Sequence, residues 1–387
     1  MLHFYLSPHW SSTHRAALWF FPLVSAYAAL IMPLTLYSFV YPDGLPGLAD
    51  RTGHAYEMFF GIGLGLVAGY LLGVQKRSFM TILLVGWGAS RVTHLWFPFS
   101  WWSLACQAVF VLALLWRLVP KLRVAKKWRN RMLVPLMVML GLLPLIAVVA
   151  AQLSGVWAQH NRLAGSSLLL FALLMVYMGG RAIAPAAAGA HQERGRDLQA
   201  RVQPRLEGAL IVLLGGAALV QPWVRPELVG VVVAIAGILV LVRLARWRLG
   251  SLWGRTDLLC LGVGYGWLGL GLLMFGVTRL LHWPSTAILH MITVGALGTL
   301  STGMMARVVL RRTLGVPPPP VGLVLITLCL AVATLSRCAA DVHWLLPRAD
   351  WLRVSVAAWS TAYAGLTVWL FMAVLYGGKS TNPGVRL

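Results

Sequence analysis

Arg51-Thr-Gly-His54-Ala-Tyr56-Glu57-Met58-Phe-Phe-Gly61 opens an apolar run that continues to Leu72, long enough to cross a bilayer as a helix. Its first turns nevertheless hold a histidine, a tyrosine and a carboxylate. At helical spacing His54, Glu57, Met58 and Gly61 stand at i, i+3, i+4 and i+7 and share one face. A carboxylate so close to hydrocarbon is costly and marks a site with a partner. The partner expected from the chain is Arg91, one hairpin later, with His94 a turn beyond it on the same face.

Working outward, the same kind of run recurs along all 387 residues, of which 59% are hydrophobic and only 11% charged. Soluble domains carry about 25% charged residues, so the chain reads as an all-α polytopic membrane protein rather than a soluble domain or a barrel. Twelve spans are expected, near 16–40, 55–74, 79–97, 100–119, 132–153, 162–184, 206–222, 228–245, 257–276, 284–309, 321–338 and 352–376. The net charge of +22 does not indicate nucleic acid, because the Lys and Arg residues lie in short loops between apolar runs. With both termini inside, 24 basic residues fall on the inner side and 7 on the outer, with Arg91 left within a span. That asymmetry orients the chain.

Two six-span halves, 1–184 and 206–376, are expected on either side of an inner linker, 185–205, with a short tail at 377–387. Cys106, Cys260, Cys329 and Cys338 lack metal-binding spacing and read as small core residues. Gly264-Tyr-Gly266-Trp-Leu-Gly269 fits a dinucleotide-binding pattern only in letters, since it lies within a span with no strand before it. Gly61, Gly65, Gly69 and Gly73 read as helix-packing surface.

On this topology His54, His94, His160, His282, His290 and His343 fall at or near the outer face, and His3, His9, His14 and His191 inside. Imidazole is the usual ligand of haem iron, copper and zinc. His54 and His94 sit at similar depth on neighbouring antiparallel spans. Glu57 and Arg91 lie a turn deeper, as an ion pair or, for Arg91, as a clamp for a haem propionate. His290 is about 9 Å below the outer edge at 1.5 Å rise per residue. Thr293, Val294 and Leu297 share its face. Met304 and Met305 offer thioethers, though apolar packing explains them as well.

These residues resemble the NnrS family of bacterial membrane proteins. The resemblance rests on His54-Ala-Tyr-Glu57-Met58-Phe-Phe-Gly61 with Gly69-Tyr-Leu-Leu, on Gly179-Gly180-Arg181, and on His290-Met-Ile-Thr293-Val294-Gly295-Ala-Leu-Gly298 running on to Met304-Met305-Ala-Arg307. It implies a twelve-span protein of the bacterial cytoplasmic membrane that contains haem and copper, linked to denitrification and the response to nitric oxide. On that basis His54, His94 and His290 would be cofactor ligands. Glu57, Arg91 and Tyr56 would support the cofactor, and His54, His290 and Met58 would contact metal. Three departures remove potential ligands. Tyr56 stands where the family has a second histidine, Leu310-Arg311-Arg312-Thr313-Leu314-Gly315 has no histidine, and Gly262 stands where one is expected. Two rival expectations follow: a cofactor-free permease with a Glu57–Arg91 coupling pair, or a non-catalytic member that has lost its cofactors. The expected partners are membrane lipid and a small molecule such as nitric oxide.

Overall fold

In the computed structural model, residues 13–126, 128–154, 158–313, 315–342 and 346–377 are described. His3, His9 and His343 lie outside them. Among the described residues the chain forms twelve long helices: α1 (Ala16–Val40), α2 (51–71), α3 (Arg77–Trp96), α4 (Trp101–Arg123), α5 (Leu133–Ser154), α6 (158–192), α7 (Pro204–Val220), α8 (Pro226–Arg246), α9 (Thr256–Leu280), α10 (286–313), α11 (Pro320–Val342) and α12 (Arg348–Gly377). Ten are long and apolar enough to cross a membrane; α2 and α3, which carry the ionisable groups, are the other two. The stretch read as a linker is helical as far as Gln192, and α7 begins at Pro204.

Short connections place successive helices antiparallel. α12 returns to pack along α1, so the chain closes on itself, while α11 lies against α12 and α8 against α9. The interior belongs to α2, α6, α9 and α10. In the apolar window of α6, 72% of residues are buried, against 33% in that of α4, which identifies α6 as central and α4 as peripheral. Buried aromatic residues such as Phe20, Phe21, Phe110 and Phe171 fill the space between them.

A two-stranded antiparallel ribbon, β1 (Thr13–Arg15) with β2 (Val74–Lys76), ties the start of α1 to the α2–α3 turn. This end of the bundle is called the ribbon end below, and the opposite end the far end. Three of the interior helices are not α-helical throughout. π-Helical turns occupy Glu57–Gly63 in α2, Gly179–Ile183 in α6, and Met291–Gly298 and Arg307–Thr313 in α10. Each wide turn inserts extra backbone, re-aims the side chains before it and is often found at functional sites. All four fall on or directly beside the segments that carry the family resemblance.

Candidate functional site

α2 is started at the far end by Asp50, whose Oδ1 accepts the Gly53 N–H at 2.7 Å. A tight turn at Pro46–Leu48 lies against the end of α3 so closely that a Cβ on Gly47 would stand 2.2 Å from the His94 carbonyl oxygen. The wide turn beginning at Glu57 then directs that carboxylate toward α3. Glu57 is 0% and Arg91 3% exposed, and Arg91 Nη1 donates to Glu57 Oε2 at 2.8 Å. The expected ion pair is therefore present, in surroundings where removing either partner strands a charge.

Three neighbours complete the pair. The Tyr27 hydroxyl on α1 donates to Glu57 Oε2. Arg91 Nη2 donates to Gln107 Oε1 on α4 and to Ser90 Oγ, the latter at 3.1 Å. Gly61 makes room: a Cβ there would lie 2.7 Å from Glu57 Oε2 and 2.8 Å from Arg91 Nη1. Trp87 Nε1 donates to the Gly61 carbonyl at 2.9 Å, fixing α3 against the wide turn.

His94 is wholly buried and held by its ring. It stacks on Tyr56 at 4.1 Å between centroids, with Phe99 edge-on to both. Phe99 adopts a left-handed backbone (φ 54°), and its carbonyl accepts a bond from Gln152 Nε2 at 2.6 Å. Neither nitrogen of His94 has a hydrogen-bond partner, although Nε2 stands 3.9 Å from Glu57 Oε1. Glu57 Oε1, Tyr56 Oη, Ser103 Oγ and Gln107 Nε2 are likewise buried without hydrogen-bond partners.

The other two candidate histidines form a separate grouping. His54 turns away from α3 toward α1, where its Nδ1 is 3.5 Å from Thr35 Oγ1. It lies within electrostatic reach of Arg337 on α11 and of His290 on α10. His290 Nδ1 is 2.7 Å from the Thr286 carbonyl oxygen. A carbonyl can only accept, so Nδ1 carries the proton and Nε2 keeps its lone pair. Arg337 itself pairs with Asp341 at 3.1 Å. Thus Glu57 and Gly61 share the face toward α3, while His54 faces α1, α10 and α11.

The remaining expectations are placed as follows. Met58 is half-buried against the core. His282 is exposed and lies 3.3 Å from Glu227. Met304 and Met305, with Met175 and Met178, line an apolar cavity of about 80 Å³ between α1, α2, α6 and α10. Arg311, in the stretch that lacks the family's histidine, joins Arg255 and Arg307 around Asp257. Among the described residues no three His, Cys, Asp or Glu side chains converge as a metal site.

Sequence reasoning overlooked a second buried ion pair, near the ribbon end. Arg243 on α8 is 2% exposed, and its Nη2 donates to Glu207 Oε1 on α7 at 2.6 Å. Its Nη1 donates to the Val176 carbonyl at 3.0 Å and lies 3.2 Å from the Tyr265 hydroxyl. Gly179 and Gly180 permit this approach: a Cβ on Gly180 would stand 2.4 Å from Arg243 Nη2, and one on Gly179 2.4 Å from the Tyr265 ring. The signal was the one that singled out Glu57, a charged residue within an expected span. Counting Arg243 among the loop cations hid it.

A family model described as NnrS protein matches residues 8–378, nearly the whole chain. No curated protein and no solved structure matches it.

Proposed function

The chain belongs to the NnrS family, and from that membership and the geometry above we propose a haem-binding membrane protein of the nitric oxide response. His54 and His290 would hold the haem near the far end. The observation that carries this reading is that an imidazole of α2 and one of α10 lie within electrostatic reach of each other and of Arg337. One of them is fixed by its Thr286 bond in the tautomer that leaves Nε2 able to ligate.

These residues fit a group that needs one or two imidazoles. Held through one of the two imidazoles, haem iron would supply affinity for a diatomic gas. The arrangement does not fit a copper ion asking for three His, Cys or carboxylate donors among the described residues. Arg337, beside both histidines, is placed to attract an acidic substituent, as a guanidinium matches a carboxylate. The apolar cavity reaching from Gly63 to Met305 suits the entry of a small apolar molecule from the lipid.

The Glu57–Arg91 network has a supporting part in this reading. It anchors α2 to α3, so that His54, one turn before Glu57, is presented to α10. The protein would lie in the bacterial cytoplasmic membrane with the ribbon end inside, because the basic loops gather there.

Optical spectra of the purified protein, oxidised and reduced, with iron and copper analysis of the same sample, test the proposal. The expected result is a Soret band that His290→Ala and His54→Ala each diminish or shift, and that Glu57→Gln leaves in place. Unchanged haem content in both histidine variants overturns it. A second reading, a permease coupled through Glu57 and Arg91, is favoured by the unbonded polar atoms of Tyr56, Glu57, His94, Ser103 and Gln107 around that pair. Uptake into vesicles that Glu57→Gln abolishes, by protein free of haem, would establish it instead.

A further inference from the structure

A second, shallow pocket opens at the ribbon end between α6, α7 and α8. It is lined by Asn130, Tyr177, Gly180, Arg181, Glu207 and Arg243, with apolar walls from Val176 and Ile211. Its charges do not balance. Arg243 is neutralised by Glu207 at 2.6 Å, while the exposed Arg181 has no ion-pair partner among the described residues. Its electrostatic neighbour is another cation, Lys121, whose Nζ already donates to the Leu71 carbonyl at 2.8 Å. Arg243 Nε, buried and unbonded, is a further donor at this site. Among the described residues that line it, the pocket therefore presents two guanidinium groups, one carboxylate, an amide and an apolar wall.

The surroundings add to the imbalance. Seven basic residues lie between Arg117 and Arg131, next to Asn130, with no acidic residue among them. A basic pocket between helices at the cytoplasmic side is the usual setting for an anionic lipid headgroup. The wide turn of α6 that carries Gly179, Gly180 and Arg181 brings these features together. Two glycines admit Arg243 and Tyr265 beneath the turn, and Arg181 is left at the mouth of the cavity.

We propose that this cavity binds the phosphodiester of an anionic phospholipid, with Arg181 as the pairing cation, Asn130 as a neutral donor and the Val176–Ile211 wall against the acyl chain. The site is independent of the haem proposal, since it lies at the opposite end of the bundle and shares no residue with it.

The test is native mass spectrometry of the full-length protein titrated with phosphatidylglycerol or with phosphatidylcholine of the same acyl chains. Phosphatidylglycerol is expected to be retained preferentially. Arg181→Ala should weaken its retention about tenfold, the effect of losing a hydrogen bond to a charged group. Arg181→Lys should keep most of it, and Lys126→Ala, an exposed loop cation outside the cavity, should change it less than about twofold. Asn130→Ala is the second variant should Arg181→Ala fold poorly, and it should weaken retention in the same direction. Equal retention of the two lipids, or equal losses in Arg181→Ala and Lys126→Ala, would overturn the proposal. So would inorganic phosphate raising the melting temperature as much as phosphatidylglycerol, because the site would then serve a free anion.

Discussion

Arg91 holds one carboxylate, one amide and one hydroxyl with its two terminal nitrogens and Nε. Removing it strands Glu57 in the interior. Arg91→Ala should therefore cost about 3–5 kcal/mol of stability, whereas the double replacement Glu57→Gln with Arg91→Met should cost less than Arg91→Ala alone. Thermal unfolding of the three proteins in one detergent checks the order. At Gly61 even a methyl group meets the pair, so Gly61→Ala should destabilise by about 1–3 kcal/mol. Gly88→Ala on α3, where the added carbon meets nothing within 4 Å, should be neutral or slightly stabilising. Equal melting temperatures for the two alanine variants would show that Gly61 is not crowded by the pair. The Glu57–Arg91 partnership was legible because each is a lone charge in an apolar run, on neighbouring antiparallel spans. Tyr27 and Gln107 were not, because hydroxyls and amides are common in such helices and nothing in their spacing points at Arg91.

At the scale of the element, the wide turns decide where side chains aim. A strict 3.6-residue period puts His54 and Glu57 on one face. In α2 the turn beginning at Glu57 sends the carboxylate to α3, while His54 faces Thr35 and His290. Deleting Ile62 would remove one residue from that turn while preserving the Glu57–Gly61 spacing. It would rotate everything before it by roughly 100° relative to the rest of α2. The deletion should lower the melting temperature far more than Ile62→Val, which costs only about 0.5–1.5 kcal/mol. If the two lower it equally, the wide turn does not position the site. Periodicity alone could not reveal these turns, since π turns are set by packing partners such as Trp87 on Gly61 and Arg243 on Gly180.

For the whole molecule, charge asymmetry and helix order together make a labelling prediction. Cysteines introduced at Gly195 and at Trp223, in a background without the four native cysteines, should react with an impermeant thiol reagent from opposite sides of the membrane. Gly195 should react from the cytoplasmic side. Both positions lie between helices, and Trp223 is 82% exposed. Labelling of both from one side would contradict the alternation of spans. The closure of α12 onto α1 has a consequence of its own. Trp359 Nε1 donates to the Ala28 carbonyl at 2.9 Å, and Ser25 Oγ to the Tyr363 carbonyl at 3.0 Å. Trp359→Phe should therefore cost about 1 kcal/mol, read as a lower melting temperature, because a buried carbonyl loses its donor.

The sequence by itself determined the helical, membrane-embedded character of the chain, the approximate positions of its helices, its family and the Glu57–Arg91 pair. These depend on apolar run length, on the cost of charge in hydrocarbon and on local spacing, all of which are written along the chain. Only the tertiary structure decided that His54 lies beside Thr35 of α1 and within electrostatic reach of Arg337, while His94 stacks on Tyr56. Only it showed that Glu207 and Arg243 are a buried pair, and that Arg181 has no ion-pair partner among the described residues. Those relations join helices far apart in the sequence, through wide turns and the closure of α12 onto α1. They are set by which helix faces meet, and no periodicity within one helix encodes that.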